Sequence, residues 1–221
     1  MVAERRHDDW REAQGGFRGS HLLLAGAALL VGGAMASLAA GSGPAGRATL
    51  AMAGWVAYLL GLAVTGLGFG WSGVAGILPR AALPVAILHV VQSGFLLYIL
   101  YSRQAPLMSP STLTVGRYLA LLIFAVLARQ HLGSLPAAGL AAAATLGLAR
   151  TLVRLFAPAA DNGRLVDSIV LLAVGAAIAV AAQRLRRLED AWAREHRPAR
   201  RTDFSEFNNP EHTWNKPDEP R

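Results

Sequence analysis

Apolar positions run through this chain in long, nearly unbroken stretches, and polar positions gather between them and at both ends. His21–Ala40, "HLLLAGAALLVGGAMASLAA", is stopped by Gly-Ser-Gly-Pro. Ala48–Phe69 forms a second run and gives way to a glycine-rich stretch. Leu83–Tyr101 forms a third, with Pro84 where a helix start tolerates proline and Tyr98 and Tyr101 where aromatic side chains suit a membrane interface. A spanning helix needs about 20 apolar residues, within a range of roughly 17–25. Each of these runs therefore predicts one crossing.

The later pattern is less regular. Leu113–Ala128 is apolar apart from Thr114, Gly116, Arg117 and Tyr118, and Arg117 is expected to snorkel from the helix end. Leu135–Leu148 is short and is followed by Arg150 and Arg154 at i, i+4; runs this short can lie in the interface or re-enter. Leu165–Ala182 predicts a last span with Asp167 at head-group level. Beyond it, Leu185, Leu188 and Trp192 recur at helical spacing, supported by the i, i+4 pairs Arg186–Asp190 and Asp190–Arg194. Pro198 should end that helix. The pattern divides the chain into a segment 1–20, a membrane bundle 21–183, an amphipathic helix 184–198 and an extended tail 199–221.

Composition turns this pattern into a statement about solvent. The chain is 53% hydrophobic and only 16% charged, against about 25% charged in a typical globular domain. Positions 13–160 hold eight arginines and no Asp or Glu, whereas a water-facing surface needs charges of both signs. The expected solvent is lipid, and the expected fold is an all-α polytopic transmembrane helix bundle in a cell membrane, of the bacterial inner-membrane kind. Acidic residues from Glu4 to Glu12 precede the first apolar run, so residues 1–20 read as a retained cytoplasmic segment rather than a signal peptide.

Charge sets the topology. Arg5, Arg6, Arg11 and Arg18 precede the first run, and seven arginines lie between Arg184 and Arg201. By the positive-inside rule both termini are cytoplasmic and the number of spans is even. Six spans, with Arg80 and Arg129 in internal cytoplasmic loops, is the topology adopted. It leaves Arg47, Arg103, Arg117, Arg150, Arg154 and Arg164 outside, and Arg150 and Arg154 weigh against it. The alternative has four spans, with residues 113–128 and 135–156 as a shallow interfacial pair.

The net charge of +7 accompanies no basic stripe with interleaved aromatics, so nucleic acid is not an expected partner. The absence of cysteine excludes disulfides, thiolate metal sites and cysteine nucleophiles. Gly70-Trp71-Ser72-Gly73 matches the Gly-x-Ser-Gly of rhomboid intramembrane proteases. A serine nucleophile there would need a histidine base, and Leu165–Ala182 contains none. The stretch is read as a tight glycine turn, and no catalytic residue is assigned.

His89, Gln92 and Ser93 stand at i, i+3 and i+4 on one helix face, and polar groups in hydrocarbon turn inward. With His21 and His131 expected in the same membrane half, these histidines are candidates for axial ligation of a b-type haem or chlorin, or for a quinone hydrogen bond. Ordinary interhelical hydrogen bonding, worth about 0.6 kcal/mol each, is the plainer account. Small residues at Gly26 and Gly33, Gly54 and Gly61, and from Ala137 to Ala144 point to close helix packing. The lack of a mid-membrane carboxylate argues against a proton- or cation-coupled transporter. In the tail, Phe204, Phe207, His212 and Trp214, with Trp192 before them, are candidate anchors for a protein partner. The function expected is a non-catalytic accessory or scaffolding subunit docking other membrane subunits through its cytoplasmic ends. The alternatives are a small neutral-solute or lipid permease and a haem-, chlorin- or quinone-binding subunit.

Overall fold

Inside lipid a backbone must satisfy its own hydrogen bonds, and an isolated apolar segment does so only as a helix. The computed structural model describes residues 18–40, 47–102, 110–157 and 163–195, and among these every element is helical. The helices are α1 (Gly19–Ala39), α2 (Arg47–Val74), α3 (Ala82–Ser102), α4 (Pro110–Leu127), the single turn α5 (Arg129–Leu132), α6 (Ser134–Phe156) and α7 (Arg164–Glu195). Five of them, α1, α2, α3, α6 and α7, are long and apolar enough to cross a membrane. This is a membrane protein in contact with the bilayer. Helix α4 has 18 residues and reaches about 27 Å at about 1.5 Å per residue, slightly less than a hydrocarbon core of about 30 Å.

The six long helices close a ring. Neighbours pack in the order α1, α2, α3, α4, α6, α7, and α7 returns to α1. At the seam between α7 and α1, Arg18 pairs with Asp190. There the Glu189 carboxylate accepts the Ser20 backbone N–H at 3.1 Å and the Ser20 hydroxyl. Glu189 thus satisfies an N–H at the first turn of α1 that no intrahelical carbonyl can reach. The start of α1 and the end of α7 lie together, here called the terminal end of the ring.

In the terminal half the ring is filled. Phe69 of α2 meets Phe124 of α4 edge-on at 5.2 Å and the His89 ring of α3 at 6.1 Å. Leu23, Leu62, Leu121 and Ile178 are fully buried around them. The outside is apolar as well: Leu60, Leu67, Ile87, Leu97, Ile123 and Val126 are exposed, which suits hydrocarbon rather than water.

The tightest seam, α1 against α2, uses the small residues singled out in the sequence. A Cβ on Gly33 would lie 2.9 Å from the Gly54 carbonyl oxygen, and one on Gly54 3.1 Å from that of Gly33. Neither position has room for a side chain, and close backbone approach is what small residues provide in lipid.

Several boundaries differ from expectation. Residues 66–74 are the last turns of α2, not a turn between spans. The helix stops only where Gly76, at φ +73°, takes the left-handed conformation. Ile77 N–H then bonds Ser72 O at 3.1 Å and Gly76 N–H bonds Gly73 O at 3.3 Å, a Schellman ending. The Ser72 hydroxyl donates to Gly68 O at 3.0 Å within its own helix. The short run at 135–148 belongs to a 23-residue helix, because Arg150 and Thr151 turn inward rather than ending it. Helix α7 passes from residue 183 to Glu195 without a break. Ala181, Ala182, Leu185 and Glu189 stay buried along it, so its inward stripe persists past the last apolar run. Phe204, Phe207, His212 and Trp214 lie outside the described residues.

Candidate functional site

The half of the ring away from the terminal end holds a polar cavity of about 440 Å³, within the roughly 300–1,000 Å³ usual for ligand sites. Ser37, near the end of α1, faces it together with Ala51, near the start of α2. Leu96 of α3 and Ser111 of α4 do the same, as do Arg154 of α6 and Asp167 of α7. C-terminal ends of α1, α3 and α6 thus meet N-terminal ends of α2, α4 and α7. The six helices run alternately up and down.

Among the described residues three arginines line the cavity against one carboxylate. Arg150 Nε donates to Asp167 Oδ1 at 2.9 Å, and its Nη2 donates to Gly163 O at 3.3 Å. Arg154 Nη2 donates to Asp167 Oδ2 at 2.6 Å. The Arg150 side chain is 8% exposed and that of Arg154 48%, so Arg150 sits deep and Arg154 at the rim. Trp55, exposed and edge-on to Tyr58 at 6.1 Å, marks another part of the rim.

Arg117 is different. It is 2% exposed, yet no carboxylate reaches it among the described residues. Its Nη1 donates to the Tyr58 hydroxyl at 3.3 Å, and its guanidinium lies 4.5 Å from the centre of the Tyr118 ring. Room for that ring exists because position 147 is glycine: a Cβ there would overlap Tyr118. Nearby, Gln92 Nε2 donates to Thr114 Oγ1 at 2.8 Å, while Gln92 Oε1, buried, has no hydrogen-bond partner among the described residues. A cation taken out of water without a counter-charge is costly. A phosphate or carboxylate is the group that relieves this cost, since a guanidinium fork matches it in shape and charge.

The expected snorkelling of Arg117 is corrected by this geometry. Helix α4 begins at Pro110, not Leu113, so Arg117 stands two turns inside and points into the ring. Arg150 and Arg154, which weighed against six spans, are cavity-lining and ion-paired, so they are not loop charges of the kind the positive-inside rule counts.

The histidines are distributed otherwise. His89 is 1% exposed in the filled half, and its Nδ1 donates to Val85 O at 2.8 Å. His21 and His131 are exposed. Among the described residues no three of His, Cys, Asp and Glu come together as a metal ion would need. Gln92 and Ser93 do turn inward beside His89: Ser93 Oγ donates to Leu59 O at 2.8 Å, a helix-to-helix bond. Trp192, the described member of the expected partner anchors, lies 37% exposed near the end of α7.

The arginine site was within reach of the sequence. An ionisable residue inside an apolar helix marks a functional site by default, and Arg117, Arg150, Arg154 and Asp167 all meet that rule. What hid them was their nearness to helix ends, where the same residues serve as interfacial anchors.

Comparison with protein-family models, curated proteins and solved structures gives no match for this chain.

Proposed function

We propose that this chain is a solute- or lipid-handling membrane protein of six crossings, whose cavity binds a ligand through a phosphate or carboxylate group. The observation that carries the reading is Arg117, a buried guanidinium lining an open cavity and lacking a carboxylate partner among the described residues. The reading keeps the permease alternative of the sequence but changes its ligand from neutral to anionic. The accessory-subunit role rests on tail residues outside the described part, and Trp192 alone does not favour it. No geometry favours the haem, chlorin or quinone reading either. With both termini cytoplasmic, the placement the arginine distribution favours, the cavity mouth faces the far side of the membrane. An all-helical build suits an inner rather than an outer bacterial membrane.

The anion reading predicts two separable effects of Arg117→Gln. Removing a buried cation that has no carboxylate partner among the described residues should leave the ligand-free protein as stable as wild type or more so, because its desolvation is no longer incurred. Phosphate should raise the thermal midpoint of the detergent-solubilised wild type in a concentration-dependent way, more than chloride at equal ionic strength. This follows because a ligand that binds the folded state stabilises it by mass action. The phosphate response should disappear in Arg117→Gln. An equal response in both proteins would refute the site.

The topology is tested separately. Reporter fusions at residues 15, 75, 132 and 200 should read cytoplasmic, and those at 45, 107 and 160 external. An external signal at residue 132 would return the four-span alternative.

A further inference from the structure

The lining of the polar cavity is divided by helix. Among the described residues, every charge on it comes from α4, α6 and α7, as Arg117, Arg150, Arg154 and Asp167. The part contributed by α1, α2 and α3 carries no charge and holds the rings of Trp55 and Tyr58. Ala51, Gly54, Trp55 and Tyr58 stand at i, i+3, i+4 and i+7, which is one face of α2, and all four line the cavity.

These two rings connect the rim to the buried guanidinium. The Tyr58 hydroxyl accepts from Arg117 Nη1 at 3.3 Å. The Tyr58 ring in turn meets the Trp55 ring edge to face, at 6.1 Å and 86°. Trp55 lies three residues nearer the start of α2 than Tyr58, about 4.5 Å along the axis at about 1.5 Å per residue. Since the start of α2 is at the cavity end of the ring, Trp55 is on the mouth side of Tyr58. It is half exposed, so much of the indole is left uncovered by protein. Arg117 thus offers a place for a charged group, and one helical turn further out stands an uncharged aromatic surface. A volume of about 440 Å³ is of the size that holds whole organic ligands.

Taking the cavity as the anion site just proposed, we infer that its occupant is an organic anion bearing an aromatic ring. Its phosphate or carboxylate lies against Arg117, and its ring lies against Trp55. An inorganic anion would use the guanidinium and leave the uncharged side of the cavity to water. An aromatic substituent gains apolar burial there, and also ring-to-ring contact as a third member of the Tyr58–Trp55 pair. An acyclic polyol substituent gains neither. Phenyl phosphate is the suitable probe, because it joins the two groups with nothing else attached.

The test takes affinities for inorganic phosphate, glycerol phosphate and phenyl phosphate from the concentration dependence of the thermal midpoint in one detergent. At pH 8 all three are mainly dianions, so they differ in their uncharged parts. The proteins compared are wild type, Trp55→Leu, Trp55→Phe and Arg117→Gln. Phenyl phosphate should bind wild type about tenfold more tightly than either of the others, the scale of one buried ring contact. Trp55→Leu should remove that advantage and leave the response to inorganic phosphate unchanged. Trp55→Phe keeps a ring and should retain most of the advantage. Arg117→Gln should respond to none of the three. Equal affinity of wild type for phenyl and inorganic phosphate, or a preference for glycerol phosphate, would overturn the inference while the anion site stands. An advantage that persists in Trp55→Leu would make Trp55 an aromatic of the membrane interface and overturn it as well. A response to inorganic phosphate that survives in Arg117→Gln would instead remove the anion site itself, and the inference with it. Trp55→Gln serves in place of Trp55→Leu if that variant does not fold.

Discussion

Asp167→Asn is expected to lower the thermal midpoint of the detergent-solubilised protein by about 6–20 °C and, in the same sample, to raise its affinity for phosphate. Among the described residues Asp167 is the one carboxylate lining the cavity, and it accepts from both Arg150 and Arg154. Arg150 is almost wholly buried, so it cannot recover its lost partner from water. Removing one member of such a pair costs about 3–5 kcal/mol, and in a chain of this size each kcal/mol moves the midpoint by about 2–4 °C. Arg154 is half exposed and adds little, because exposed pairs are worth about 0–1 kcal/mol. The second effect has the opposite sign. Without the carboxylate, three guanidiniums face an empty cavity, and an added anion takes the place of Asp167. Phosphate should then restore part of the lost stability. A midpoint equal to wild type would show that the pair is solvated rather than buried. A loss that phosphate leaves untouched would show that the pair braces α6 against α7 but belongs to no anion site.

A second large effect is expected at Gly26, where leucine should prevent assembly of the bundle. A Cβ at Gly26 would lie 2.8 Å from the Thr65 backbone nitrogen and 3.1 Å from the Gly61 carbonyl oxygen. Backbone atoms of a packed helix cannot move aside as a side chain can. The cost should exceed the roughly 1–3 kcal/mol of ordinary overpacking, since the first added carbon already overlaps α2. The control is Gly32→Leu in the same helix. A Cβ there meets nothing within 4 Å, and it gains the same helix propensity. Size-exclusion chromatography in mild detergent should show a folded, monodisperse Gly32→Leu and an aggregated or unexpressed Gly26→Leu. Equal behaviour of the two would mean that the α1–α2 approach is not required for folding.

Both experiments use features that the sequence reveals to different degrees. The paired glycines of α1 and α2 were legible, because a seven-residue spacing of small residues in an apolar helix has few uses other than close packing. The inward face of His89, Gln92 and Ser93 was legible for the same kind of reason: hydrocarbon offers polar groups no partner, so they turn toward other helices. The wrong end for the glycine-rich stretch at 66–74 came from treating glycine as a breaker. In an apolar helix packed on its neighbours, glycine is held by tertiary contacts: a Cβ at Gly68 would lie 2.9 Å from Leu23 Cδ2, and one at Gly66 2.8 Å from Val90 Cγ2.

The sequence by itself determined the solvent, the all-helical class and most of the helix spans. These follow from local quantities, the length of an apolar run and the absence of carboxylates, and local quantities are readable in one dimension. The closing of six helices into a ring was decided only by the tertiary structure. So was the inward turn of Arg117, Arg150 and Arg154, which depends on the rotation of each helix about its axis. Helices that are apolar nearly all round carry little rotational signal in their sequence, because lipid accepts any face. Rotation is fixed instead by which small residue leaves room for which neighbour, as Gly147 does for Tyr118 and Tyr118 in turn for Arg117. Those fits join residues far apart in the chain, and they exist only once the ring is closed.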